Sequence, residues 1–224
     1  DVFPSIELLE RLPQNTQSPF RIAQLGKAYG ANFELMYGLR SVGGYEIALE
    51  RTKTFLADLS RDELDSVMLT TAGVLETKDR RIDMLNAQYY IVSEWDPHYL
   101  DFRNQPDRFR YLFTFGDTDV RENVKSLPAA FLVPATGIEV IADETAQLNR
   151  VKDPAFDPER RVVLAAAPAG SIPASRTGGV NAVSRVEWIS SRTNSFELNV
   201  NAGEPSILVA SQINYPGWKA YIDG

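Results

Sequence analysis

Few residues on this chain could do chemistry, and their spacing limits what that chemistry is. Two acids, Asp117 and Asp119, stand in "GDTD" at the end of an alternating run. Paired carboxylates can act as general acid and base when a third group and a substrate meet them. Here the pair sits in a hairpin turn, where both are expected in solvent and no third group is brought to them. "DPAFDPE" (Asp153 to Glu159) carries two Asp four apart with a Glu close by. A calcium loop needs more oxygen ligands at alternating positions and a Gly for its sharp turn. Asp-Pro pairs cap their own backbone and fix φ, so turns are the expected outcome. "GLRSVGG" (Gly38 to Gly44) has the glycines of a phosphate-cradling loop but neither Gly-Lys-Ser/Thr nor a preceding strand. Gly43-Gly44 is expected to make a tight or left-handed turn instead.

Two aromatic clusters remain. "SEWDPHYL" groups Trp95, Asp96, His98 and Tyr99 in a Pro-containing loop. Aromatic faces and an acid suit a sugar, and they equally suit a plain amphipathic loop. "YPGWKAYIDG" (Tyr215 to Gly224) is the second cluster. Pro216-Gly217 fits the two central positions of a type II turn, where Gly accepts a positive φ. Alternation along the following residues puts Trp218, Ala220 and Ile222 on one face, expected to be the core face. Lys219, Tyr221 and Asp223 fall on the other. The candidate ligand-binding residues are therefore Tyr215, Tyr221, Lys219, Trp95 and His98. No residue is assigned to catalysis or to a metal, and no cofactor is implied.

Composition narrows the classes further. The chain has 224 residues, no Cys and a single His. Disulfides, thiolate metal sites and a Cys nucleophile are excluded, and one chain with one His cannot build a multi-His zinc site. Net charge is −7, from 30 acidic against 23 basic residues. That balance argues against a nucleic-acid backbone as partner, which wants clustered Lys and Arg. Hydrophobic content of 44% with 24% charged residues is ordinary for a globular chain. No apolar run approaches the ~18 residues of a membrane span. The chain opens on Asp1 and stops on the Asp223-Gly224 turn signal, so a piece of a longer protein is expected.

The elements that must position these residues follow from periodicity. "PSIELLERL" (Pro4 to Leu12) reads as a short helix and "FRIAQLG" as a strand ending at Gly26. The Gly-rich "NFELMYGLRSVGGYEIAL" is without period, a helix is expected from about Glu46 to Leu59, and Ser60 with Glu63 forms a capping box. "KDRRIDML" then suits a helix and "AQYYIVS" (Ala87 to Ser93) a buried strand. "RFRYLFTFGD" is a strand ending in a turn, "VRENVK" a short edge strand, and "PAAFLVPA" and "GIEVIA" two more strands. Asp143 is a good N-cap for the helix "ETAQLNRVK", and "RRVVLAA" follows as a strand. "APAGSIPASRTGG" (Ala167 to Gly179) has linker composition. Beyond it, "VSRVEWISS", "SFELNVNA", "PSILVASQIN" and "GWKAYI" all read as strands. The expected fold class is α+β: a mixed α/β domain over 1–166 with a mixed sheet, a linker over 167–180, and an all-β, jelly-roll-like sandwich part over 181–224.

Taken in order, "MYGLRSVGGYEIAL", "MLNAQYYIVS", "LPAAFLVPA", "DPAFDPERRVVL" and "YPGWKAYIDG" resemble the soluble C-terminal region of the bacterial YfhO-type membrane proteins. The resemblance runs from about Phe20 to Gly224 and rests most on "LPAAFLV" and "YPGW-x-x-Y-x-DG". It implies a polytopic membrane protein of the GT-C glycosyltransferase type, which moves sugars from polyprenyl-phosphate carriers onto cell-envelope polymers. On that reading the chain is an extracytoplasmic, non-catalytic accessory domain. Its partners are the membrane-embedded part of the same polypeptide and an envelope glycan or polyprenyl-linked sugar acceptor. The family's catalytic loop lies among the membrane spans, so no catalytic residue carries over. After "RRVVL" the chain departs from the family, running into "AAAPAGSIPAS" where an acidic residue and a shorter link are expected. A free-standing carbohydrate-binding module, or a structural interaction domain without ligand, are the alternative readings.

Overall fold

Two strands buried on both faces build the centre of the molecule. The computed structural model of the chain describes residues 7–13, 18–26, 32–43, 50–56, 59, 78–169, 184–213 and 216–223. After a short helix α1 (Glu7–Glu10), strand β1 (Arg21–Leu25) runs to Gly26, whose φ of +76° turns the chain out of the sheet. A Cβ at Gly26 would meet that of Ser93 at 2.8 Å, so only Gly allows the neighbouring strands this close. A 3-10 turn at Phe33–Tyr37 leads to the two-residue strand β2 (Arg40–Ser41). Helices α2 (Glu50–Leu56) and α3 (Arg81–Met84) precede β3 (Ala87–Ser93), which spans the residues expected of a buried strand.

α4 (Tyr99–Arg103), β4 (Phe109–Phe115) and β5 (Thr118–Asn123) complete a five-stranded sheet in the order β2-β1-β3-β5-β4. β1 pairs in parallel with β2 and β3, whereas β5 is antiparallel to β3 and β4. The sheet is therefore mixed, and both of its faces are covered. Ala23, Leu25, Tyr90 and Val92 point to one face, where Leu56, Ile82, Phe102 and Phe109 pack on them. Ile22, Tyr89 and Ile91 point to the other, under Leu8, Leu9 and Leu12 of the N-terminal segment. On the first face Tyr90, Phe102 and Phe109 form an aromatic triangle with centroids 4.6–5.2 Å apart.

β5 corrects an expectation. "VRENVK" is expected as a short edge strand, yet β5 lies inside the sheet between β3 and β4. Its polar side chains are buried because they satisfy one another. Arg121 Nη2 lies 2.7 Å from Asp119 Oδ2, and Thr114 Oγ1 donates to Asp119 Oδ1 at 2.7 Å. Burial alone would push the Asp119 carboxyl up; the hydrogen bonds from Thr114 and Arg121 outweigh it and hold the group below its usual value. Asp119 is thus an internal structural acid, and the solvated position expected of it is wrong.

The remaining strands are β6 (Ala130–Pro134), β7 (Ile138–Val140), β8 (Val162–Leu164), β9 (Arg185–Ser191), β10 (Phe196–Asn201) and β11 (Ser206–Ala210). β9 and β10 form an antiparallel hairpin, and β11 pairs antiparallel with β6, which lies against β9. The chain is α+β, its C-terminal strands all β. The expected last strand "GWKAYI" is absent: residues 216–223 form turns and irregular backbone. Its supposed core face is also wrong, since Ile222 is 90% exposed and Trp218 39%. Alternation marks a strand only where a partner ladder exists, and none reaches this segment. The linker expected over 167–180 and the capping box at Ser60 and Glu63 lie almost wholly outside the described residues.

α5 (Glu144–Lys152) is capped as its sequence predicts, with Asp143 Oδ1 accepting from the Ala146 amide at 2.8 Å. It is tied to the parallel pair β7–β8 by Glu139, which takes Arg150 Nε at 2.6 Å and Arg161 Nη1 at 2.7 Å. Those bonds, Arg150's first, depress the Glu139 carboxyl from 4.5 to about 2. A carboxyl depressed in the folded state stabilises above its unfolded pKa and loses that contribution as pH falls toward the folded one. Glu139→Gln is accordingly expected to lower Tm at pH 7 by roughly 2–4 °C, about 1 kcal/mol for a partly exposed network. The gap to the parent should shrink through pH 4 and close near pH 2; a pH-independent gap in thermal melts refutes it.

The fully buried Asp83 binds the layers together. Its Oδ1 accepts from Arg108 Nη2 at 2.8 Å and Asn123 Nδ2 at 3.0 Å, while its carbonyl takes the Leu127 amide at 2.9 Å. Asp83→Ala strands a buried guanidinium and should cost about 3–5 kcal/mol in urea unfolding. A loss below about 1 kcal/mol contradicts this account.

Candidate functional site

The five sequence-derived candidates do not come together. Trp95 follows the end of β3 and is 78% exposed, its indole N–H donating to Asp117 Oδ2 at 2.6 Å. His98 is not in a plain loop; it sits at the N-cap position of α4, its Nδ1 2.9 Å from Asp101 Oδ2. Both side chains already have protein partners, and neither borders the clefts described below. Tyr221, 76% exposed, and the exposed Lys219 lie in the irregular C-terminal segment, with Gly217 at φ +110° as the Pro-Gly turn requires. Tyr215 lies outside the described residues. Asp153 and Asp157 accept from the amides two residues on, Ala155 and Glu159, which makes both Asp-Pro segments turns.

The concave surface of the molecule lies where the C-terminal strands meet the edge of the central sheet. Three adjoining hollows line up beside β9. The first, about 460 Å³, has Arg21, Arg40, Arg192, Phe196 and Trp218 on its walls. It shares Gly38, Arg40 and Ser191 with a second of about 340 Å³. The second shares Ser18, Trp188 and Ile189 with a third of about 650 Å³ between β6 and β9. Together they make an elongated groove. An aromatic row runs beside it: Trp188 to Phe196 at 5.3 Å between ring centroids, and Phe196 to Trp218 at 5.7 Å. Trp218 fails as a core residue because this row, open to solvent on one side, is what it packs on.

Two arginines hold the walls in place. Arg21 on β1 donates from Nη1 to Leu85 O at 3.0 Å and Ser211 Oγ at 2.9 Å, and from Nη2 to Ser211 O at 2.6 Å. Ser211 in turn donates from Oγ to Met84 O at 3.1 Å, so the end of β11 is clasped to the sheet. Arg40 on β2 reaches Ser191 Oγ at 3.0 Å and fixes the end of β9. Burial, and then the nearby Arg40 guanidinium, lowers the Arg21 pKa from its ordinary value.

Such a groove can hold an extended ligand by ring stacking and by charged hydrogen-bond donors. Among the described residues no group of three or more His, Asp or Glu is placed to hold a metal ion, and no helix is long and apolar enough to cross a membrane. Compared with known proteins, the chain matches no family model, no curated protein and no solved structure. The sequence reading missed Arg21, Arg40, Arg192 and Phe196, since only tertiary structure joins residues this far apart.

Arg21→Met keeps the aliphatic stem and removes all three donors. Amide hydrogen exchange at 206–212 is expected to accelerate at least tenfold, reflecting about 2 kcal/mol of lost tethering. Unchanged protection there would show that the clasp does not hold β11.

Proposed function

We propose that this chain is a non-catalytic, extracytoplasmic domain of a polytopic GT-C-like membrane protein, holding a cell-envelope glycan for glycosylation by the membrane-embedded part of the same polypeptide. The observation that carries the reading is the elongated groove beside β9 with its aromatic row. A polymer needs a long open channel rather than a closed pocket, and ring faces at intervals suit successive sugar rings. The individual hollows fall in the range of about 300–1,000 Å³ usual for ligand sites. The resemblance to the YfhO-type C-terminal region supplies the membrane context. A free-standing carbohydrate-binding module would use the same groove. The two differ in whether the full reading frame encodes hydrophobic spans.

Trp218 lies outside every strand, so its loss should spare the fold. Trp218→Ala is expected to weaken binding of envelope polysaccharide fragments about tenfold in calorimetry, with an unchanged far-ultraviolet spectrum. No heat with the parent chain, or transferase or hydrolase turnover by the chain alone, defeats the proposal.

A further inference from the structure

Several buried or half-buried arginines of this protein are matched to acids. The buried Arg81 pairs with Asp79, Arg108 with Asp83 and Arg121 with Asp119, and the half-buried Arg150 pairs with Glu139. The hollow at Arg21, Arg40 and Arg192 differs. Among the described residues Arg21 is clasped to neutral oxygens, Arg40 bonds the Ser191 hydroxyl, and the Arg192 side chain has no partner. Among the described residues no carboxylate lines the hollow where the three meet, although the protein carries a net charge of −7. Burial first, and then the Arg40 guanidinium, lower the Arg21 pKa, so the fold keeps two like charges together with no acid between them among the described residues. That arrangement is costly when empty and is relieved by an anion. Guanidinium groups bind planar or tetrahedral oxyanions through paired N–H donors. Trp218 and Phe196 stand on the wall of the same hollow.

We propose that the hollow at Arg40, Arg192 and Trp218 is an anion subsite that takes a sugar unit bearing an oxyanion. The sugar ring lies against Trp218 and its charged group meets the two guanidiniums of Arg40 and Arg192. Arg21 stays a tether and adds positive field from behind. The inference rests on the saccharide reading above and deepens it. The shared ligand chemistry is an oxyanion on a hexose, supplied by either a carboxylate or a phosphate ester.

The test titrates the whole 224-residue chain with glucose, glucuronate, glucose 6-phosphate and inorganic phosphate, followed by calorimetry at low salt. Glucuronate or glucose 6-phosphate is expected to bind at least tenfold tighter than glucose, and whichever is tighter identifies the anion. Inorganic phosphate alone should bind more weakly than the sugar phosphate, and added salt should erode the preference. Arg192→Ala, which removes no side-chain hydrogen bond among the described residues, should cancel most of the preference of the charged sugars over glucose. Arg40→Ala should cancel the preference too and, because it also frees the end of β9 from Ser191, weaken glucose to a lesser degree, whereas Trp218→Ala should weaken charged and neutral sugars alike. Equal binding of glucose and the charged sugars overturns the anion subsite and leaves the saccharide groove standing. Phosphate binding as tightly as glucose 6-phosphate overturns the sugar unit. Binding of none of the four defeats both readings.

Discussion

A carboxylate shut away from water must be neutralised and hydrogen-bonded inside the protein, or it destabilises the fold by several kcal/mol. Asp83 has no exposure at all, and the rest of the architecture follows from satisfying it. One oxygen takes Arg108 from the approach to β4 and Asn123 from the end of β5, while Arg80 stands 3.7 Å from the other. The Asp83 carbonyl takes Leu127, which sets where the chain leaves β5 for β6. One short turn of helix thereby ties the start of β4 to the end of β5 and sets the path by which the chain leaves β5.

The residues on either side of Asp83 extend the same role. Arg81, itself buried, grips Asp79 with both nitrogen groups and donates to the Phe55 carbonyl at 2.7 Å, drawing α2 onto the sheet. Asn86, in a left-handed conformation at φ +56°, donates to the Leu127 carbonyl and accepts the Arg21 amide. The carbonyls of Met84 and Leu85 receive Ser211 and Arg21. The segment from Arg81 to Asn86 therefore adds polar bonds with α2, β1, β5 and the end of β11 to the apolar packing of Ile82. Such bonds are directional, so they specify one arrangement where apolar packing would tolerate several.

This dependence explains what could be read in the sequence. β3 was legible because both faces of the sheet are covered, so "AQYYIVS" is apolar without alternation. α5 was legible because its cap is local: Asp143 bonds an amide three residues on. β5 was not, because it buries Asp119, Arg121 and Asn123, and buried charges look like an edge until their partners are known. The 3-10 turn and β2 hid in a Gly-rich run for a similar reason, since β2 is only two residues long and is defined by its partner β1.

The groove was the least legible part, and the reason is sequence separation rather than weak signals. Arg21 meets Ser211 across 190 positions and Arg40 meets Ser191 across 151. Each residue alone is unremarkable: two arginines on strands, two serines at strand ends. Trp218 stood out in the sequence, but its role was assigned by alternation to a core that does not exist around it. What places it beside Phe196 is the β9–β10 hairpin, and what places that hairpin beside β2 is Arg40. The framework that neutralises Asp83 holds the carbonyls of Met84 and Leu85 where Arg21 and Ser211 can reach them, and that contact sets one wall of the groove. A buried acid and the arginines on the groove wall are thus joined through a single helical turn, so the shape of the groove depends on the packing of the core.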